Sequence, residues 1–172
     1  DQDPDRNLPK LIDWADQLDT KNVYGPARKQ FRKVIEDPES NWYQLIKSLW
    51  TDIDDGVRRT LFENFIVNAS LLGYPKQIQN SEKYGCKIPW AILMDPTSAC
   101  NLHCTGCWAA EYGNRMNMDL ETLDSIVKQG TELGTYMYLY TGGEPLVRKK
   151  DLITLCERHP DCVFLSFTNA TL

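Results

Sequence analysis

The apolar positions of this chain change period near residue 88. From Leu8 to Leu72 they recur at helical spacing. Pro9 stands near the start of a first helix, where its missing N–H costs little. Phe31, Val34 and Ile35 predict a second over 26–35, closed by Asp37-Pro38, because the residue before proline disfavours the α region. Ser40 reads as the N-cap of a third, in which Trp42, Leu45, Ile46, Leu49 and Trp50 form one stripe. Asp54 or Asp55 opens a fourth through Leu61, Phe62, Phe65, Ile66 and Ala69, with Gly73 as its stop. The Trp and Phe stripes read as core faces packing helix on helix. Residues 74–85 read as a connector.

Beyond residue 88 short apolar runs alternate with helical stretches. Trp90 to Met94 is unbroken, as in a strand buried on both faces. Asp119 caps a helix carrying Leu120, Leu123, Val127 and Leu133 on one face, stopped by Gly134. Residues 136–140 form a second strand, Asp151 opens a helix with Leu152, Leu155, Cys156 and His159, and residues 163–167 form a third strand. This order predicts an α/β fold with parallel strands and right-handed crossovers, preceded by an all-helical extension. The domain boundaries expected are 1–88 and 89–172. Three strands with an open edge, and a chain that stops at Ala170-Thr171-Leu172 without a Met at its start, read as a fragment of a longer protein.

Composition narrows the classes. With 42% hydrophobic and 25% charged residues the chain is an ordinary globular one. Its 19 basic and 24 acidic residues give a net charge of -5, and no Lys/Arg stripe suggests a nucleic acid. No apolar run approaches the roughly 18–20 residues of a transmembrane segment, and the acidic N-terminus is unlike a signal peptide. A cytoplasmic, reducing location is expected, where six cysteines favour metal or catalysis over disulfides.

The chemistry concentrates in three loops that each follow a strand. After the first comes Cys100-Asn101-Leu102-His103-Cys104-Thr105-Gly106-Cys107, a C-x3-C-x2-C set. Three such thiolates suit an iron–sulfur cluster with one iron left open. A structural zinc, completed by His103 or Cys86, and reduced thiols without metal are the alternatives. Thr141-Gly142-Gly143-Glu144-Pro145 follows the second strand and Thr168-Asn169-Ala170 the third. In parallel sheets that carboxyl edge is where sites are built. Cys156 and Cys162 read as small buried hydrophobes and Cys86 as a thiol outside the first strand. Glu111, Tyr112, Asn114 and Arg115 read as solvated loop residues or, alternatively, as a pocket lining.

The ordered pair of motifs, three cysteines after one strand and Gly-Gly-Glu-Pro after the next, resembles the radical S-adenosylmethionine (radical SAM) enzymes over residues 89–172. The resemblance implies the first half of a partial TIM-like barrel. It also implies a [4Fe–4S] cluster held by Cys100, Cys104 and Cys107, with S-adenosylmethionine on the fourth iron. Contacts to that cofactor are implied for Gly106, Gly143, Glu144 and Asn169, with Glu144 near the ammonium of the methionine moiety. Reductive cleavage would give a 5′-deoxyadenosyl radical that takes hydrogen from a substrate, with flavodoxin or ferredoxin as reductant. Two positions depart from the family pattern: Gly106 replaces a frequent aromatic, with Trp108 following, and Ala170 replaces a frequent glycine. A non-catalytic electron-transfer or scaffold module is the competing class. Peptides, cofactor precursors, nucleosides and lipids all remain open as substrates.

Overall fold

The computed structural model describes residues 3–20, 22, 24–113 and 115–172, without the side chains of Leu18, Ala110 and Glu111. Its contacts form two compact units, residues 1–59 and 60–172.

In the first unit α1 (Pro4–Leu18), α2 (Gly25–Ile35) and α3 (Asn41–Thr51) pack on one another. α1 begins a turn before the expected start. Asp3 accepts the Arg6 N–H at 3.2 Å and Pro4 takes the first turn, which leaves Pro9 inside the helix. Ser40 caps α3 as expected, accepting from the Tyr43 N–H at 3.2 Å. The core is smaller than the aromatic stripes suggest: Leu8, Ile12 and Tyr43 are buried, whereas Trp42 is 67% exposed. Tyr43 turns inward because its hydroxyl donates to Asp5, and that bond pushes the phenol pKa up to about 12. Arg28 and Arg32 lace α2 to Asp13, Asp16 and Asp19.

α4 (Asp55–Phe62) is followed by a π-helix (Glu63–Gly73) and then α5 (Tyr74–Tyr84). Two expectations are corrected here. Gly73 keeps helical dihedrals and stops nothing, and the supposed connector is α5, with Pro75 in its first turn and Gly85 at φ 67 as its end. Gly73 serves close packing instead, because a Cβ there would lie 2.6 Å from the Gly134 carbonyl oxygen.

This helical stretch packs with the sheet for a polar reason. The last carbonyls of a helix lack partners within it, and those of α6 (Leu120–Leu133) are met from α5. Lys76 donates to Thr131 O at 2.8 Å, Asn80 to Leu133 O at 3.1 Å and Gln77 to Gly134 O at 2.7 Å. Asn64 and Asn68 likewise satisfy the carbonyls of Pro160, Asp161 and Cys162 before β3 (Val163–Ser166). Compactness therefore divides the chain at 59/60, while the change of period falls near residue 88.

β1 (Ala91–Thr97), β2 (Met137–Gly142) and β3 form a parallel sheet in that order, with α6 and α7 (Lys149–Arg158) in the crossovers. The α/β fold with an open parallel sheet, preceded by helices, is as expected. On one face Met94, Tyr138 and Tyr140 pack with Leu123, Val127, Leu152, Leu155 and Cys162. Each such fully buried aliphatic side chain contributes about 1.5–3 kcal/mol. On the other face Leu93, Leu139 and Leu165 stand in register, with Leu93 61% exposed. Cys162 is buried as expected. Cys156 is exposed, because it opens onto an uncovered groove with Tyr140 and Phe164. No helix among the described residues is long and apolar enough to cross a membrane.

Candidate functional site

Every loop singled out in the sequence lies at the carboxyl edge of the sheet, where parallel strands leave backbone groups free to meet a ligand. Beyond β1 the chain enters the cysteine loop. Cys100, Cys104 and Cys107 line a cavity of about 170 Å³ together with His103 and Gly143. None of the six cysteines forms a disulfide. Among the described residues no three His, Cys, Asp or Glu side chains converge closely enough to hold a single ion. That arrangement is a poor zinc site, whose ligands must meet at about 2.3 Å from one point. A cluster makes a different demand, with each cysteine taking a different iron. The Leu102 N–H reaches Cys100 Sγ at 3.5 Å, the kind of weak bond to sulfur that tunes such clusters.

The Cys107 N–H bonds Cys104 O at 3.2 Å, and Gly106 inside that turn has φ 74. A left-handed residue there explains why glycine stands where an aromatic is frequent. The nearby aromatic, Trp108, faces a different cavity, described below.

The Gly-Gly-Glu-Pro loop is bonded to the start of the cysteine loop. Gly143 N–H donates to Thr97 O at 3.0 Å and Glu144 N–H to Ala99 O at 2.8 Å. A Cβ on Gly143 would lie 2.2 Å from Ala99 O. The close approach this glycine permits is thus to the backbone that carries Cys100, while its own backbone borders the cysteine cavity.

Glu144 is 1% exposed. Its Oε1 accepts from Leu146 N–H at 3.0 Å and Thr168 Oγ1 at 2.8 Å, and its Oε2 from Asn169 N–H at 2.8 Å. Burial pushes the carboxyl pKa up, but the Asn169 and Leu146 N–H groups and the Thr168 hydroxyl outweigh it and hold the pKa below its ordinary value. These bonds turn the carboxylate toward the third loop. Asn169 continues the chain of contacts, donating to Asn101 Oδ1 at 3.0 Å, while Asn101 donates to Thr171 Oγ1 at 2.8 Å. Ala170 sits at φ 55 in this turn, taking the left-handed geometry that glycine would adopt without strain.

Sequence reasoning missed three residues that shape this edge. Asn101 joins the first and third loops. Arg148, just past the second, donates to Pro96 O at 3.3 Å and Met118 O at 2.7 Å while pairing with Asp151 at 2.5 Å. It pins the segment returning from the cysteine loop to the end of β1. Asp95, on β1, borders a second cavity of about 260 Å³ with Trp108, Tyr112, Met116 and Met118. No spacing marks any of the three. Of the loop residues considered for a pocket, Tyr112 lines this cavity and Arg115 is outside its lining. Asn114 and the Glu111 side chain lie outside the described residues.

Residues 94–172 match the family described as the Radical SAM superfamily. Two curated relatives are the GTP 3',8-cyclases of Clostridium perfringens strain SM101 / Type A and strain 13 / Type A. Each is 36% identical over 86 residues, which is 46% of this chain and 26% of the cyclase. The chain spans about a quarter of the length of the curated relatives it matches. No solved structure gives a significant match. The stretch that matches this family, residues 94–172, contains all three strand-end loops.

Proposed function

We propose that this protein is a radical SAM enzyme, located in the cytoplasm, that binds a [4Fe–4S] cluster through Cys100, Cys104 and Cys107. The observation that carries the reading is the cavity those three cysteines share with Gly143. Gly106, Gly143 and Asn169 lie around the same edge and would present backbone and amide groups to S-adenosylmethionine. Glu144 supports them by holding the second and third loops together through Thr168 and Asn169. When bound, cluster and S-adenosylmethionine supply a 5′-deoxyadenosyl radical for hydrogen abstraction, with the electron coming from a flavodoxin or ferredoxin. The protein's part is to orient both and to exclude side reactions.

The relatives are named for GTP. The match covers 26% of each cyclase. The substrate is therefore left open at this level.

The full-length protein, reconstituted anaerobically, should hold about four irons per chain, and Cys100→Ala should hold far less. S-adenosylmethionine should alter the electron paramagnetic resonance signal of the reduced protein, and dithionite should release 5′-deoxyadenosine. Iron without any such response would make it an electron-transfer module, and zinc in place of iron would overturn the cluster assignment.

A further inference from the structure

The cavity of about 260 Å³ beside the cysteine loop is not accounted for by cluster binding. Its walls are fixed by the backbone. Ser98 N–H bonds Met116 O at 2.8 Å and Met118 N–H bonds Pro96 O at 3.1 Å, with Arg148 clamping the same two strands from behind. Into this frame project large apolar side chains that the protein leaves in solvent. Trp108 is 59% exposed, and Tyr112 and Met116 are exposed beside it. The Trp108 and Tyr112 rings meet edge to face, 6.2 Å apart, and both line the cavity. Exposed aromatic and thioether groups around a concavity are what a ligand site offers to a planar apolar body.

The polar end of the cavity is equally selective. Among the described residues Asp95 is its one acidic or basic lining residue, and the carboxylate, open to solvent, makes no hydrogen bond or ion pair. Gly142 keeps space for it, since a Cβ at that position would lie 3.1 Å from Asp95 Cβ and 3.3 Å from Asp95 Cγ. A carboxylate beside a largely apolar wall favours a cation or an N–H donor over an anion. Ser98 and Ala109 line both this cavity and the cysteine cavity. A group bound here would therefore be a wall's thickness from the cluster.

We propose that this cavity binds the substrate through a planar ring bearing a cationic or N–H-donating nitrogen, packed against Trp108 and Tyr112 and paired with Asp95. Assigning the ring to the substrate rests on the radical reaction proposed above; the binding preference does not. A phosphate or carboxylate group is disfavoured at this end of the site.

The test uses the full-length, cluster-loaded protein and three isosteric probes: benzamidine, benzamide and benzoate. Titration followed by ligand-observed NMR should show benzamidine binding about tenfold or more tightly than benzoate, with benzamide between them. Asp95→Asn, which keeps the shape of the side chain, should bring benzamidine down to the benzamide level. Trp108→Ala should weaken benzamidine and benzamide alike. Iron content and the response of the cluster signal to S-adenosylmethionine should be the same in Asp95→Asn as in wild type, so a failure of the cluster reading is seen separately from a failure here. Equal binding of benzamidine and benzoate, or benzamidine binding indifferent to Asp95→Asn, would overturn the proposal. So would displacement of benzamidine by 5′-deoxyadenosine, which would give the cavity to the cofactor.

Discussion

Glu144→Gln is the substitution that separates a loop-binding carboxylate from a ligand-binding one. The side chain is almost fully buried and accepts three hydrogen bonds, two at Oε1 and one at Oε2. Glutamine has one acceptor oxygen. Its best placement keeps that oxygen toward Leu146 and Thr168 and sets the NH₂ against the Asn169 N–H, donor facing donor. One bond to a charged acceptor is lost, at about 1.5–3 kcal/mol, and two more fall from charged to neutral strength. Relief of carboxylate desolvation offsets part of this, leaving a net loss of roughly 2–4 kcal/mol. In urea, with a slope of about 2 kcal/mol/M, the midpoint should fall by about 1–2 M. Thr168→Val and the double variant complete a cycle whose coupling should lie at about 0.5–3 kcal/mol. A stability change under about 0.5 kcal/mol, accompanied by a large drop in affinity for S-adenosylmethionine, would refute the reasoning and return Glu144 to the ligand.

Gly143→Ala places a methyl 2.2 Å from Ala99 O, so iron incorporation, measured after anaerobic reconstitution, should fall sharply while the far-ultraviolet spectrum changes little. Ala170→Gly releases a left-handed alanine and should stabilise the protein by about 0.5–1 kcal/mol in the same urea assay, because roughly 1–2 kcal/mol of strain exceeds the added backbone entropy. At Asp124, burial raises the carboxyl pKa, but bonds from His159 at 3.0 Å and Arg158 at 3.3 Å lower it more, so its folded value lies below 3.8. The stability it contributes is present above 3.8 and lost as pH falls through the folded value. Asp124→Asn should therefore be less stable than wild type by about 1 kcal/mol at pH 6 and converge with it as pH falls through the folded value. Stripping metal with a chelator should expose Cys104 and Cys107 to iodoacetamide, read by peptide mass spectrometry. Cys162, buried and with its thiol pKa pushed up to about 12, should stay unlabelled in both states.

Local rules carried most of the fold. Asp119 and Gly134 bound α6 as their side-chain and backbone chemistry dictates, Ser40 caps α3, and each of the three strands lies where an apolar run was bounded by turn residues. What misled was any residue whose purpose is tertiary. Gly73 carries a helix-stop signal, yet it is glycine because the Gly134 carbonyl presses on it. Residues 74–85 are polar enough to suggest a connector, but that polarity caps the end of α6. Trp42 follows the helical stripe, and Tyr43 is buried in its place because Asp5 waits for its hydroxyl. At the site, spacing sufficed for the three cysteines because they share one loop. The direction of the Glu144 carboxylate, the reach of Asn101 and the clamp of Arg148 depend on partners 24 to 70 positions away, and no local pattern records those.

The bonds between the loops also set an order of events during synthesis. The cysteine loop emerges early, but Asn101 finds its partner Thr171 only 70 residues later. At about 5–20 residues per second, a ribosome takes roughly 4–14 s to supply that partner. For those seconds the three thiols sit in a loop that lacks its bond to the third strand-end loop, open to oxidation or to stray metal. If the three thiols take a cluster as proposed, iron and sulfide are best delivered after the third strand has arrived, so residues 168–171 decide when the first motif becomes usable.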